Sequence, residues 1–288
     1  MRIVKQIFQW ILFSSTILTA CSSVQDFIKS SVQKPKVAFS GVKIQGLNFE
    51  KIDLLFDLTV NNPNAVGVKM AGFDYDFLID QRAFVSGNQP QIVEIPANGK
   101  NVVHVPVTLR FNDVFQTFKE YPQKDSTRYE LKCGFSFDLP VLGVQRIAVS
   151  KSGHIPLLKI PRLKVVALKL KNLRLTGADL ELQVQLQNPN SFKVILKTLD
   201  YKFAINNQTW LSGSSHDQYQ IAAKKDNLIR LPLSLNFLQI GASVPQLLKS
   251  DSPLNYQFQG KLDLTSSFPM LKRAQLPFNR TGAIRLLK

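Results

Sequence analysis

Three histidines, His104, His154 and His216, are the first residues to test for chemistry, and they are scattered along the chain. No two have the spacing that brings imidazoles to one metal ion, and no cysteine stands near any of them. Ser212-Gly213-Ser214-Ser215-His216 places hydroxyls beside an imidazole, the raw material of a nucleophilic dyad. The only near carboxylate, Asp217, is adjacent in sequence to the histidine, where it points elsewhere rather than orienting the ring. Asp74, Asp76 and Asp80 line one strand face and could suggest a cation site, but the counterparts Asp200, Lys202 and Asn206 do not keep it, which favours a solvated strand face. No glycine-rich phosphate loop follows a strand, and no serine sits in a nucleophile elbow. These residues predict no catalytic, cofactor-binding or metal site and a protein that is not an enzyme.

A thiol offers more. Arg2 and Lys5 form a positive start, and the run from Ile7 to Leu18 is apolar apart from Gln9 and a Ser-Ser-Thr break. That run is short of the roughly 20 residues of a membrane span and reads as the apolar part of a secretory signal. It ends in Leu18-Thr19-Ala20-Cys21, which resembles the lipobox of bacterial lipoproteins, where small residues admit a peptidase and the thiol is alkylated by diacylglycerol. The expectation is a signal peptide over 1–20, a lipidated Cys21 and a polar tether over 21–34. Two or more acyl chains anchor stably where one does not. Ser22 in place of Asp implies, by the same resemblance, export to the outer membrane facing the periplasm. The tether reaches about 20 Å as coil by the square-root rule for flexible linkers. Cys133, the one cysteine left, alternates with Tyr129, Leu131, Phe135 and Phe137 and reads as a small core residue.

Behind these residues stands a repeat. Asn62-Pro63-Asn64 recurs as Asn188-Pro189-Asn190, 126 positions on. Asp53-Leu54 likewise matches Asp179-Leu180, Asp74-Tyr75-Asp76-Phe77 matches Asp200-Tyr201-Lys202-Phe203, and Ser86-Gly87 matches Ser212-Gly213. No gap is needed from Pro35 to Leu109 against Pro161 to Leu235. One module is written twice, over 35–156 and 157–288.

Each copy alternates with period two. Leu54, Phe56, Leu58 and Val60 share a face, as do Leu180, Leu182, Val184 and Leu186, with Glu181, Gln183, Gln185 and Gln187 opposite. Phe73, Tyr75, Phe77 and Ile79, then Val103, Val105, Val107 and Leu109, form further apolar faces repeated in copy two. Half-buried strands joined by Asn, Gly and Pro turns predict an all-β fold of two tandem antiparallel sandwiches. Pro63 and Pro189 lack the N–H that would continue a ladder, and the flanking asparagines are suited to bonding nearby backbone. One short helix is expected per copy: Asn112 as cap of Asp113 to Tyr121 with Pro122 as stop, and a face of Phe237, Ile240, Val244 and Leu247. Beyond the helix, Leu131, Cys133 and Phe137 align best with Tyr256, Phe258 and Leu262 at an offset of 125, and Gly153 aligns with Gly282 at 129.

An Asn-Pro-Asn after an alternating strand, followed by a Tyr-centred strand and a Ser-Gly, resembles the group 2 late embryogenesis abundant family, also called the water stress and hypersensitive response (WHy) domain. The resemblance covers both copies. It implies an immunoglobulin- or fibronectin-like sandwich with a helix and a protective role in water stress. The glycine expected at the turn after the Tyr-strand is replaced by Asp80-Gln81-Arg82 and Asn206-Asn207-Gln208.

Charge suggests partners. The net charge is +16, and loss of Arg2 and Lys5 with a signal takes it to +14. No acid stands between Asp138 and Asp179, where Lys164, Lys169, Lys171 and Arg174 cluster, and none follows Asp263. A basic surface beside a membrane gains about 1 kcal/mol per residue from anionic headgroups. Nucleic acid would suit the charge, but export to the envelope implies no nucleic-acid partner. The favoured reading is a lipid-anchored envelope protein that protects or scaffolds. The alternative is a binding module for lipid, lipopolysaccharide or peptidoglycan, with Lys164, Lys169, Lys171 and Arg174 on the anion.

Overall fold

A computed structural model describes residues 32–90, 92–140, 142–240, 244–271 and 273–288. The signal and lipidation site expected over 1–21 lie outside the described residues.

The chain forms two compact units. The first contains residues 32–45, Leu54–Val107 and Ser126–Ile155; the second contains Gly46–Asp53, Thr108–Asp125 and Pro156–Lys288. The strands of copy one are β1 (Lys36–Leu47), β2 (Lys51–Asn61), β3 (Val68–Ile79), β4 (Arg82–Gln89), β5 (Val93–Ile95), β6 (Lys100–Arg110), β7 (Ser126–Leu139) and β8 (Gly143–Pro156). They make a three-stranded sheet ordered β1-β2-β6 and a second ordered β4-β3-β7-β8, with β5 also on β3. Copy two repeats the plan with β9 (Arg162–Leu173), β10 (Gly177–Gln187), β11 (Val194–Ile205), β12 (Gln208–Ser215), β13 (Tyr219–Ile221), β14 (Asp226–Asn236), β15 (Leu254–Ser266) and β16 (Ala274–Ile284). Its sheets are ordered β14-β10-β9-β17 and β12-β11-β15-β16, where β17 (Leu286–Leu287) runs parallel to β9.

The alternating pattern sets the cores. Leu54, Phe56, Leu58 and Val60 of β2 and Leu180, Leu182, Val184 and Leu186 of β10 are all buried, as their period of two requires. Phe77 stacks on Tyr129 with centroids 5.3 Å apart, and Phe203 lies on Tyr256 at 6.2 Å. These pairs sit at matching places in the ladders, since Ile79 faces Tyr129 and Ile205 faces Tyr256. Tyr256 is therefore the counterpart of Tyr129, not of Leu131, and the true offset on this strand is 127 rather than 125. Copy two carries one extra residue in the helical connection, which alternating apolar residues alone cannot count, because a slip of two keeps every side chain on its face.

The glycine-free turns close all the same. Asp80 and Gln81 (φ 44° and 69°) and Asn206 and Asn207 (φ 47° and 68°) each form a two-residue loop with both residues left-handed. That is the conformation whose twist matches the flanking strands. Both copies also bulge at the same places, after Phe77 and Phe203 and again after Met70 and Leu196.

The helix differs from expectation. Helix α1 is Phe111–Thr117, capped by Arg110 with no side-chain bond. Phe111 follows β6 directly because its ring is buried and its N–H donates to Glu50 O at 2.8 Å, so Asn112 is left exposed inside the first turn. Pro122 does not stop α1. It lies within a separate 3-10 turn, Tyr121–Gln123, fixed by Tyr121 stacking on Phe118 at 4.7 Å. In copy two the counterpart comprises α2 (Phe237–Ile240) and α3 (Val244–Lys249), and Leu248 rather than Leu247 is the fully buried leucine of α3.

Candidate functional site

The Asn-Pro-Asn elements are the strongest polar constellation the two copies share. Asn62 is completely buried and Asn64 nearly so. The Asn62 amide donates to Val66 O at 2.8 Å and Pro96 O at 3.0 Å. Its carbonyl accepts from the Asn64 backbone N–H at 3.0 Å and from Asn64 Nδ2 at 2.9 Å. Asn64 then reaches 31 residues upstream: its carbonyl accepts from Gln33 N and its amide donates to Gln33 O, both at 2.8 Å.

Copy two reproduces each link. Asn188 Nδ2 donates to Phe192 O at 2.6 Å and Ala222 O at 3.1 Å, and Oδ1 accepts from Asn190 N at 3.0 Å. Asn190 clamps Lys159 through N and O, again at 2.8 Å each. The local turn bonding was readable from the motif. The double bond to the strand-entry segment was not, since no local pattern marks a contact that far away. Chemically the motif is a backbone clamp: all its polar atoms are satisfied inside the protein, and Pro63 and Pro189 end the strand that feeds it.

A second shared element escaped sequence reading. Thr108 Oγ1 donates to Asp53 Oδ1 at 2.7 Å, and Ser234 Oγ donates to Asp179 Oδ1 at 3.0 Å, so a hydroxyl on β6 or β14 holds the carboxylate on β2 or β10. Desolvation opposes ionisation of Asp53, but the Thr108 hydroxyl and Lys51 outweigh it and keep its carboxyl below the usual range. The guanidinium of Arg174 has the same effect on Asp179.

The candidates for catalysis separate. Asp74 pairs with Arg146, Asp76 accepts from Ser86 Oγ at 2.6 Å, and Asp80 belongs to the turn. Ser214 bonds Asp200 and Ser215 bonds Asp217, while His216 makes no hydrogen bond among the described residues. His104 does have a carboxylate: its Nδ1 lies 2.7 Å from Asp57 Oδ1, and Lys43 Nζ lies 2.8 Å from the other oxygen. Lys43 first and His104 second lower the Asp57 pKa. The counterparts Lys169, Gln183 and Arg230 contain no acid, so this pair belongs to copy one alone. Among the described residues no group of three His, Cys, Asp or Glu is placed to hold a metal ion. Cys133 is buried, and burial, with Asp74 and Asp76 adding to it, pushes its thiol pKa up to about 12.

The basic tract places Lys164, Lys169 and Lys171 on β9 and Arg174 just past its end. Two of its four members are neutralised there. Arg174 grips Asp179 through both guanidinium nitrogens at 2.7 Å, and Lys171 lies 3.4 Å from Glu181. Lys164 and Lys169 have no carboxylate within ion-pair distance among the described residues.

The model of the family described as late embryogenesis abundant protein (LEA_2) matches residues 57–153 and 183–282. This chain belongs to the LEA_2 family. The late embryogenesis abundant protein Lea14-A of Gossypium hirsutum is 26% identical over 128 residues, 44% of this chain and 85% of that protein. The desiccation-related protein At2g46140 of Arabidopsis thaliana is 25% identical over 135 residues, 47% of this chain and 80% of that protein. Among solved structures, AT1g01470 of Arabidopsis thaliana aligns at 23% identity with a TM-score of 0.37, over 45% of this chain and 85% of that one. A protein from Archaeoglobus fulgidus aligns at 9% identity and a TM-score of 0.33, over 44% and 97%. The family model matches twice in succession, so this LEA_2 chain carries the module in tandem.

Proposed function

We propose that this LEA_2 protein is a non-enzymatic protector or scaffold in water stress, held by lipid on Cys21 at the outer membrane and facing the periplasm. Membership of the family and similarity to proteins named for desiccation support a stress-related role. The observation that carries the non-enzymatic part is the shared polar network. In both copies the buried asparagines bond within their own unit, and the groups with chemical reach (His104, His216, Cys133) are not repeated. What the copies hold in common is a rigid fold, and the protective agent is the folded polar surface itself.

Survival of a deletion strain after drying or osmotic shock tests this. The expected result is a fall that wild type restores and Cys21→Ala does not. Unaltered survival across those stresses would sink the protective reading, and equal rescue by Cys21→Ala would remove the anchor from it.

A second reading, binding of anionic lipid, lipopolysaccharide or peptidoglycan, is favoured by Lys164 and Lys169, which lack carboxylate partners among the described residues. Charge reversal at both is expected to weaken sedimentation with vesicles containing phosphatidylglycerol. Unchanged sedimentation would remove the tract from that role.

A further inference from the structure

The second unit contains a cleft of about 960 Å³, and all of its lining residues belong to that unit. This is at the upper end of the roughly 300–1,000 Å³ of small-molecule sites. Its apolar lining is Phe49, Phe111, Phe115, Leu158, Ile160 and Pro161. Phe49 and Phe111 are buried, Phe115 is half-buried and stacks on Phe111, and Ile160 is 52% exposed. The lining thus combines buried aromatic rings with the exposed Ile160.

The charged lining is one-sided: six basic residues against two acids, Glu50 and Asp113. Three of the six are internally compensated. Lys51 pairs with Asp53, and Lys159 and Lys224 share Asp125. Arg280 bonds the backbone carbonyls of Leu163 and Asn279. Arg110 and Arg162 remain; both are exposed, and neither has a carboxylate partner among the described residues. Two guanidinium groups with no side-chain hydrogen bond among the described residues, on an aromatic cleft, fit a flat or tetrahedral anion on an apolar body, because a guanidinium fork binds carboxylate or phosphate through two parallel hydrogen bonds.

We propose that this cleft binds a single-chain amphiphilic anion, its carboxylate or phosphate held by Arg110 and Arg162 and its hydrocarbon chain laid along Phe49, Phe111, Phe115 and Ile160. The site rests neither on the protective reading nor on Lys164 and Lys169, although Arg162 begins β9, so its failure leaves both of those readings standing. The two sources of such a ligand are a free fatty acid and a lysophospholipid.

The test uses the full chain carrying Cys21→Ser, with equilibrium binding of radiolabelled palmitate and of lysophosphatidylglycerol below their aggregation concentrations. Saturable one-to-one binding of at least one probe is expected, and which of them binds tells the carboxylate source from the phosphate source. Arg110→Glu with Arg162→Glu should weaken binding at least tenfold, and Phe115→Asp should weaken it comparably. Lys197→Glu, on another sheet, should not alter it. Thermal unfolding of each variant separates loss of the site from loss of the fold. Absence of saturable binding for both probes would overturn the proposal, as would binding unchanged by the arginine and Phe115 variants. Equal affinity for uncharged monopalmitoylglycerol would overturn the role of the arginines.

Discussion

Asn188→Ala is the perturbation that best isolates the clamp. The side chain is 1% exposed, donates to Phe192 O and Ala222 O, and accepts twice from Asn190. Each such bond contributes about 1 kcal/mol net, and a buried donor left without a partner costs about 1–3 kcal/mol. Alanine removes both amide N–H donors and the Oδ1 that accepts from the buried Asn190 N–H. The sum is about 3–5 kcal/mol, at the upper end of what single substitutions do. For a unit of this size it corresponds to about 10–15 °C in the unfolding midpoint. Calorimetry and denaturant titration of the full chain read it, and Asn62→Ala should produce a comparable loss in the transition of the first unit. Asn188→Asp should be worse than alanine at neutral pH, since it turns a carboxylate toward carbonyl oxygens in a buried site. Because Asn188 Oδ1 holds Asn190 Nδ2, the Asn188→Ala and Asn190→Ala losses should add to less than their sum. A loss below about 1 kcal/mol, or full additivity, would refute the reasoning and make the motif a plain turn.

Four further expectations follow from the geometry. Arg273 holds the Asp263 carboxyl below its ordinary value, so that contribution is complete above a pH of about 4 and is lost as pH falls through the lowered folded value. Asp263→Asn should therefore flatten the acid limb of a stability–pH curve, and an unchanged limb would count against the pair. Cys133 should resist a thiol reagent at pH 8 in the native protein and react only on unfolding, because its pKa of about 12 leaves almost no thiolate and its side chain is buried. Gln81→Gly should stabilise the first unit by about 1 kcal/mol in denaturant titration, by relieving a left-handed residue at φ 69°. Gly260→Ala should destabilise the second unit by several times the usual ~1 kcal/mol of a point substitution, since an added Cβ would strike the backbone carbonyl oxygen of Asp200. Wild-type-like unfolding would contradict either glycine argument.

Much of this fold was legible in the residues. Period-two alternation is a direct consequence of the pleat, so the buried faces of β2, β3, β6 and their copies could be named without coordinates. The features that escaped depend on contacts distant in sequence or on counting residues through a connection. Asn64 and Asn190 clamp a partner 31 residues away, and nothing local at Gln33 or Lys159 announces it. The helix start was misplaced because Asn112 is a good cap by type, whereas Phe111 is held by burial and by Glu50 O. The charge tract was overcounted. Asp179 lies five residues past Arg174, across a hairpin turn, and that spacing could have warned that Arg174 is paired. The Asp57–His104 pair was hidden for a different reason. Its members sit 47 residues apart on separate strands, and copy two does not repeat them.

The central claim is that the folded LEA_2 surface protects, and drying of a client enzyme tests it most directly. A dehydration-sensitive enzyme would be dried and rehydrated with an equal mass of the full chain, of the Asn62→Ala/Asn188→Ala variant held above its unfolding midpoint, or of serum albumin. The account predicts that the native chain preserves more client activity than albumin and that the unfolded variant does not. Protection no better than albumin, or equal protection by the unfolded chain, would contradict it.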